Sequence, residues 1–356
     1  MYARMYTMVD KSIFVSIASY RDAELESTLD EVIDKASGRC RLRIVVCLQD
    51  SLAEYTRLKG LSKLAEVEWI YMPCESAKGV CWARGLILRK LHDEDYIMQI
   101  DSHTRLAQRW DLKMIISLNR TKDRRAILSC YPNGYDSSNP DIPKDKYAVV
   151  RVVDTITRSG STHNLLKSAI PNETRVPIRS LHVAGCFIFA PLKWAGEIKY
   201  PIHLYHAGEE DWLRQRSFTC GWNVYCPERA YVWHNYELSE KRPRHWDDNK
   251  SSTKHQAFDA RTVPCGPARS LEQYMVAMKQ ITQSYRNVPF SRKDELLPPE
   301  ADIQRILIRL YYHDLLLAEL VVSDSHSLDS ESAFVRFNCT QQTLLMATGC
   351  RLFTVD

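Results

Sequence analysis

Tyr96-Ile97-Met98-Gln99-Ile100-Asp101-Ser102-His103 is the stretch that decides how this chain folds. An apolar, strand-like run ends abruptly in an acid, a small polar residue and a histidine. Successive strand residues point to opposite faces, so Asp101 and His103, two apart, project to the same side where the strand leaves the core. A carboxylate oxygen and a neutral imidazole nitrogen on one side suit Mn²⁺, Mg²⁺ or Zn²⁺, with the other coordination positions left to water or phosphate oxygens. A strand closed by a capping Asp beside a surface His would look the same in isolation, so the surrounding pattern has to carry the reading.

That pattern is a series of β-α-β units. Upstream, 12–19 reads as a first strand around Ile13-Phe14-Val15-Ser16-Ile17-Ala18, closed by Ser19-Tyr20-Arg21-Asp22. A helix is predicted over 23–36, where Leu25, Leu29, Val32 and Ile33 share one face, then a nearly continuous apolar strand over 43–48. Helix 51–64, strand 67–72 and helix 78–92 follow, the last with Val80, Ala83, Ile87 and Leu91 on one stripe. Such unbroken apolar strands belong to a sheet covered by helices on both faces. Ligands of open α/β sheets bind at the carboxyl ends of the strands, where Ser19 to Arg21, Gln49 to Asp50, Cys74 to Ser76 and Asp101 to His103 all fall.

Downstream, a helix over 110–119 and a strand over 126–130 lead into 131–174. This stretch is rich in Pro, Asn, Ser and Asp and is expected to be a long loop region with short strands such as 147–153. Strand character returns over 180–191, and a helix over 206–219 opens on Gly208-Glu209-Glu210-Asp211, acids that the helix dipole favours at an N-terminus. Strands over 222–226 and 230–233 end in His234, and 237–254 is a polar loop. A helix over 270–285, a Pro-containing joint at 297–300, an apolar helix over 301–322 and a strand-like tail over 333–355 complete the expectation.

With 26% charged and 45% apolar residues in 356, the composition is that of an ordinary soluble globular protein. A formal charge of +4 is too slight to demand a nucleic-acid partner. Eleven cysteines, odd in number and with no C-x-x-C pair, read as buried reduced thiols and argue against a disulfide framework. No apolar run approaches a membrane span and the N-terminus has no apolar leader core, so a cytoplasmic protein without a membrane partner is expected.

At the level of motifs the chain resembles the cytoplasmic polypeptide (hydroxyproline) N-acetylglucosaminyltransferases and their bacterial and phage relatives. The resemblance rests on Ile17-Ala18-Ser19-Tyr20-Arg21-Asp22, on Ser76-Ala77-Lys78-Gly79 with Ala83-Arg84, and on Gln99-Ile100-Asp101-Ser102-His103. It continues through Gly208-Glu209-Glu210, the Gly221-Trp222 to Pro227 segment, His234-Asn235-Tyr236 and Arg269-Ser270-Leu271-Glu272-Gln273-Tyr274, all in the family's order. It covers 12–275 and implies there a GT-A glycosyltransferase domain, a mixed sheet flanked by helices; residues 276–356 lie outside it and read as a smaller, mainly helical C-terminal extension of open role. It implies a divalent metal (Mn²⁺ or Mg²⁺), a UDP-sugar donor, most simply UDP-GlcNAc, and transfer to an acceptor hydroxyl with retention of configuration.

The site residues follow. Asp101, His103 and His234 would hold the metal. Arg84, near the start of its helix, would reach the diphosphate or sugar, with Lys78 as a less secure anionic contact. Ser19, Tyr20, Arg21 and Gln49, at strand ends, would meet the nucleotide. Glu210, then Glu209, would serve the sugar or acceptor, and no single tryptophan of 212, 222, 233 and 246 stands out as a sugar platform. The favoured acceptor is a protein or peptide. A hydroxymethylated base in DNA is the alternative, with Lys241, Arg242, Arg244, Lys250 and Lys254 on its phosphates. A protein that binds a nucleotide sugar without turning it over is the third reading, and oligomeric state is left open.

Overall fold

The computed structural model of the chain describes residues 11–137, 147–158, 161–171, 174–206, 208–236, 242–248, 262–286, 306–312, 315–322, 334–336, 344–348 and 351–355. They fall in two compact units, Met1–Met275 and Val276–Asp356.

The first unit opens with β1 (Lys11–Tyr20), α1 (Leu25–Asp34), β2 (Cys40–Gln49), α2 (Leu52–Lys59), β3 (Glu68–Met72), α3 (Val80–Leu88) and β4 (Tyr96–Asp101). The predicted β-α-β series is therefore present, with adjusted ends. Ile13, Phe14, Val15 and Ile17 are wholly buried, as are Val45, Val46 and Cys47 of β2, because helices cover both faces of the sheet. Leu25, Thr28, Leu29 and Val32 form the buried stripe of α1, and the Ser51 hydroxyl caps α2 by accepting from the Glu54 N–H at 3.2 Å. Helix α3 is shorter than the expected 78–92. It starts only after Gly79, whose φ of +101° is a conformation that glycine adopts without a Cβ penalty.

The unit continues with β5 (Thr104–Leu106), α4 (Trp110–Arg120), β6 (Ala126–Leu128), β7 (Asn133–Gly134), β8 (Val149–Arg158), β9 (Ser161–Pro171), β10 (Ile178–Ser180), β11 (Phe187–Pro191), α5 (Leu192–Ile198), α6 (Glu209–Thr219), β12 (Asn223–Cys226), β13 (Val232–His234) and α7 (His245–Asp248). The stretch expected as mostly loop, 131–174, holds the paired strands β8 and β9, and α7 lies in the expected loop over 237–254.

Among the described residues an eight-stranded mixed sheet runs in the order β10-β12-β6-β11-β4-β1-β2-β3. Strands β4, β1, β2 and β3 are parallel neighbours, whereas β11 runs antiparallel to β4. The register sets Tyr20 opposite Gln49 and Ala18 opposite Asp101, so the carboxyl ends of β1, β2 and β4 share one edge. This is the mixed, helix-flanked α/β sheet expected of a GT-A domain. A second, three-stranded sheet, β5-β13-β7, sets His234 opposite Thr104 and thereby carries a residue 133 positions distant to the end of β4.

Helix α8 (Leu271–Arg286) runs from the first unit into the second. In the second unit, β14 (Ile306–Tyr312) pairs antiparallel with β15 (Leu315–Val322), and β16 (Phe334–Arg336), β17 (Leu344–Thr348) and β18 (Arg351–Val355) form a three-stranded sheet. The expected helix over 301–322, and with it the mainly helical character of the extension, is corrected. Ile306, Ile308, Tyr311, Tyr312, Val321 and Val322 are β-branched or aromatic and favour a pleated backbone, and apolar periodicity in an almost wholly apolar run does not distinguish helix from strand. No helix among the described residues is long and apolar enough to cross a membrane.

Candidate active site

Asp101 ends a strand whose Ile97, Met98 and Ile100 are wholly buried, so the chain is rigidly anchored up to the residue where it meets the crevice. Ser102 and His103 are both tied to Asp22: the Ser102 hydroxyl donates to Asp22 Oδ2 at 2.7 Å, and His103 Nδ1 lies 2.6 Å from the same oxygen. Burial would raise the Asp22 carboxyl, but the hydrogen bond and charge of His103 outweigh it and hold Asp22 below its ordinary value. An ionised carboxylate only accepts. His103 Nδ1 thus carries hydrogen toward Asp22, and Nε2 lies 3.8 Å from Asp101 Oδ2. His234 Nε2 lies 3.1 Å from that same Asp101 oxygen, and the backbone N–H of Asn235 donates to the His103 carbonyl. One ligand atom each from Asp101, His103 and His234 gather within 4.8 Å of one another.

The donor set fits a divalent cation. One carboxylate and two imidazoles suit Mn²⁺, Mg²⁺ or Zn²⁺, and Asp22, bonded to His103 Nδ1, stands where an outer carboxylate would fix the tautomer of a ligating histidine. Burial lowers the pKa of His234 despite its hydrogen bond to Asp101, which keeps the ring in the neutral form that a ligand requires.

Arg84, on α3, is 2% exposed and lies between two carboxylates. Its Nη2 pairs with Asp101 Oδ1 and its Nη1 donates to Glu209 Oε1 at 2.6 Å. The Tyr200 hydroxyl donates to the same Glu209 oxygen, and Gln99 Nε2 donates to Tyr200 at 2.9 Å and to the Gly185 carbonyl at 2.8 Å. Burial would raise the Asp101 carboxyl, but the Arg84 charge and then the His234 hydrogen bond hold it well below the usual carboxylate range. Glu209, only 4% exposed, is thus paired with Arg84 at the cavity wall. Its neighbour is different. Glu210 accepts from the Gly185 N–H at 2.8 Å and from the Tyr131 hydroxyl, and burial pushes its pKa up to about 7 against those two hydrogen bonds.

Asp22, Arg84, Asp101, His103, Glu209, Glu210 and His234 line one cavity of about 690 Å³, which also takes in Tyr20, Gln49, His182 and Tyr205. Of the residues expected to meet a nucleotide, Tyr20 and Gln49 line it, while the exposed Lys78 stands over the Trp82 ring at 5.4 Å and Ser19 is buried. Arg21 donates to Asp248 of α7 at 2.7 Å, and Tyr20 donates to the same carboxylate at 2.9 Å. The α7 segment is further held by His245, which contacts the Tyr205 hydroxyl and, through Nε2, the Ala77 carbonyl at 2.9 Å. Trp212, Trp222 and Trp233 are buried and do not line the cavity, and the Trp246 side chain is outside the described residues. Arg242 and Arg244 line it, whereas Lys241, Lys250 and Lys254 lie outside the described residues.

Sequence reasoning gave no role to Asp22, Tyr131, His182, Tyr200 or His245. Asp22 stood inside a quoted motif. The other four carry no local signal, since a single Tyr or His outside any motif reads equally as a core or surface residue.

A family model described as Glycosyltransferase (GlcNAc) matches residues 12–62 and 54–285. No curated protein matches the sequence. Among solved structures, GalNAc-T7 with UDP, GalNAc and Mn²⁺ is similar at TM-score 0.46 and 17% identity, over 64% of this chain and 44% of that one. S. aureus TarS 1-349 in complex with UDP-GlcNAc is similar at TM-score 0.42 and 13% identity, over 79% of this chain and 68% of that one. The chain thus spans less than half the length of GalNAc-T7. The family match extends over most of the first unit, including every strand end that builds the cavity, and the chain belongs to the GlcNAc glycosyltransferase family.

Proposed function

We propose that this glycosyltransferase moves GlcNAc from UDP-GlcNAc to an acceptor hydroxyl on a protein, with a divalent metal and retention of anomeric configuration. The observation that carries the metal dependence is the convergence of Asp101, His103 and His234 within 4.8 Å, in the cavity that the parallel strand ends open. The family match supports the choice of sugar. Scattered cysteines, with none paired by a C-x-x-C motif, suit a cytoplasmic setting.

When bound, a divalent cation neutralises the charge that builds on the departing UDP. The chain's own residues prepare that step. Asp22 holds His103 in the ligating tautomer, and Arg84 holds Asp101 ionised while anchoring it to the start of α6 through Glu209. Tyr20 and Gln49 border the place where a nucleotide would lie across β1 and β2. Glu210, half-buried beside Tyr131, orients hydroxyls of the sugar or acceptor. In front-face retaining transfer the leaving phosphate takes the acceptor's proton, so no enzyme base is required.

The test is UDP release from UDP-GlcNAc with Mn²⁺, with and without EDTA, using wild type and Asp101→Ala. Chelator-sensitive release that is lost in Asp101→Ala, with the cooperative unfolding transition retained, is expected. Release that EDTA leaves untouched would overturn the metal assignment.

A further inference from the structure

The sheet gives the cavity a direction. Tyr20 and Gln49 stand at the ends of β1 and β2, and Asp101 at the end of β4. On the other side of β4 comes β11, whose first residue Phe187 is opposite Ile100, so the segment that leads into β11 lies beside the Asp101 edge. That segment carries His182. A nucleotide across β1 and β2 whose diphosphate reaches Asp101 therefore leaves the sugar and the acceptor to the His182 side.

His182 is 6% exposed and lines the cavity. Its Nδ1 lies 3.3 Å from Arg214 Nη1. A guanidinium has donors only, so Nδ1 must be the bare nitrogen and Nε2 the one that carries hydrogen. Burial, and then the Arg214 charge, push the ring's pKa down to about 3, which keeps it neutral. Arg214 is itself braced: its Nε donates to the Tyr274 hydroxyl at 2.8 Å and its Nη2 pairs with Asp211. Nε2 of His182 has no hydrogen-bond partner among the described residues. A donor of fixed tautomer is thus held at the cavity wall by a cation whose own charge is matched.

Glu210 lines the same cavity. Each of its carboxyl oxygens accepts one hydrogen bond, from Gly185 or Tyr131, and keeps a further lone pair. An alcohol needs a donor for its oxygen and an acceptor for its hydrogen. We propose that His182 Nε2–H, set by Arg214, donates and Glu210 accepts in a subsite for an uncharged hydroxyl, of the transferred sugar or of the acceptor, on the side of the metal triad away from the nucleotide. The assignment to sugar or acceptor rests on the glycosyl-transfer reading, but the donor site itself does not.

Two measurements test it. Nitrogen-15 spectra of histidine-labelled full-length protein should show His182 as the Nε2–H tautomer, neutral down to pH 5. An Nδ1–H tautomer or an imidazolium in that range would overturn the proposal. In kinetics with Mn²⁺, His182→Ala should leave UDP affinity within about 2-fold and raise one KM by roughly 2- to 12-fold, the span of a single neutral hydrogen bond. A rise for UDP-GlcNAc with water as acceptor identifies a sugar hydroxyl. A rise only for a hydroxyproline peptide identifies the acceptor. His182→Gln, whose amide can again present an N–H, should recover most of the loss. Unchanged KM values in His182→Ala, or equal impairment of the Ala and Gln variants, would overturn the subsite. A wild-type protein that releases no UDP would overturn the transfer reading alone, because the tautomer is read without turnover.

Discussion

The buried Arg84 and the half-buried Asp101 form an ion pair, guanidinium Nη2 to carboxylate Oδ1, and the other end of the same guanidinium holds Glu209. One side chain of α3 thus links the carboxylate at the end of β4 to the first residue of α6. Asp101 Oδ2 is left toward His103 and His234.

Replacing Arg84 with Met is expected to strand one buried carboxylate, Glu209, and one half-buried one, Asp101. Removing one partner of a buried pair costs about 3–5 kcal/mol. Urea unfolding should show a loss of that order, together with the loss of Mn²⁺-dependent UDP binding. A loss below about 1 kcal/mol would mean that the two acids are solvated or neutralised some other way.

Asp22→Ala removes the carboxylate that fixes the His103 tautomer without touching any of the three proposed ligands. Loss of such an outer partner typically weakens metal affinity about 10–100-fold. Titration of Mn²⁺ by electron paramagnetic resonance should show this weakening, and an unchanged affinity would separate Asp22 from the metal site.

Glu210 makes stability depend on pH. Its folded pKa is raised to about 7 from an ordinary 4.5, with burial as the leading cause. Between those values the folded protein holds a proton that the unfolded chain has lost, so stability falls as pH rises from about 4.5 to about 7. The fall is at most roughly 3 kcal/mol. Glu210→Gln should flatten this part of the curve in thermal melts taken from pH 5 to pH 8, and an equally steep curve in the variant would assign the effect to other groups.

Gly185→Ala tests how closely the backbone must approach the Arg84–Glu209 pair. A Cβ there would lie 2.9 Å from Arg84 Nη1 and 3.1 Å from Glu209 Oε2. Arg84 is an otherwise flexible side chain, but it is fixed at both ends here and has no room to give. The variant is expected to fold with a lower melting temperature and to lose at least about 10-fold in kcat, as small misplacements at a reacting centre do. Near wild-type turnover would show that the pair tolerates displacement.

Much of the first unit is legible in the residues alone. Helix stripes such as Leu25, Leu29 and Val32, and the apolar runs of β1, β2 and β4, are local signals with a fixed period, and the predicted elements form there. Periodicity fails where it carries least information. In the nearly all-apolar run over 306–322 it suggests one helix, and the chain forms two strands. In the site, Asp101 and His103 are readable as a pair because two positions along a strand fix which side each faces. The acidic run is readable as a group, but not which acid does what. Glu209 and Glu210 are adjacent on one helix, yet one is consumed by Arg84 and the other faces Tyr131 and Gly185.

The sequence by itself determined the β-α-β order, the strand end that carries Asp101 and His103, and the ordered motifs of the family, because each is written in neighbouring residues. Only the tertiary structure decided by which strand pairing His234, named already through the family's motif order, reaches Asp101, that Asp22 sets one tautomer and Arg214 another, and that Arg84 spans two acids. Those facts depend on strand pairing and side-chain packing between residues far apart in the chain, such as the register that sets His234 opposite Thr104. No local period records such a register. It follows from which pairing buries the apolar faces while leaving the polar groups of the site with partners.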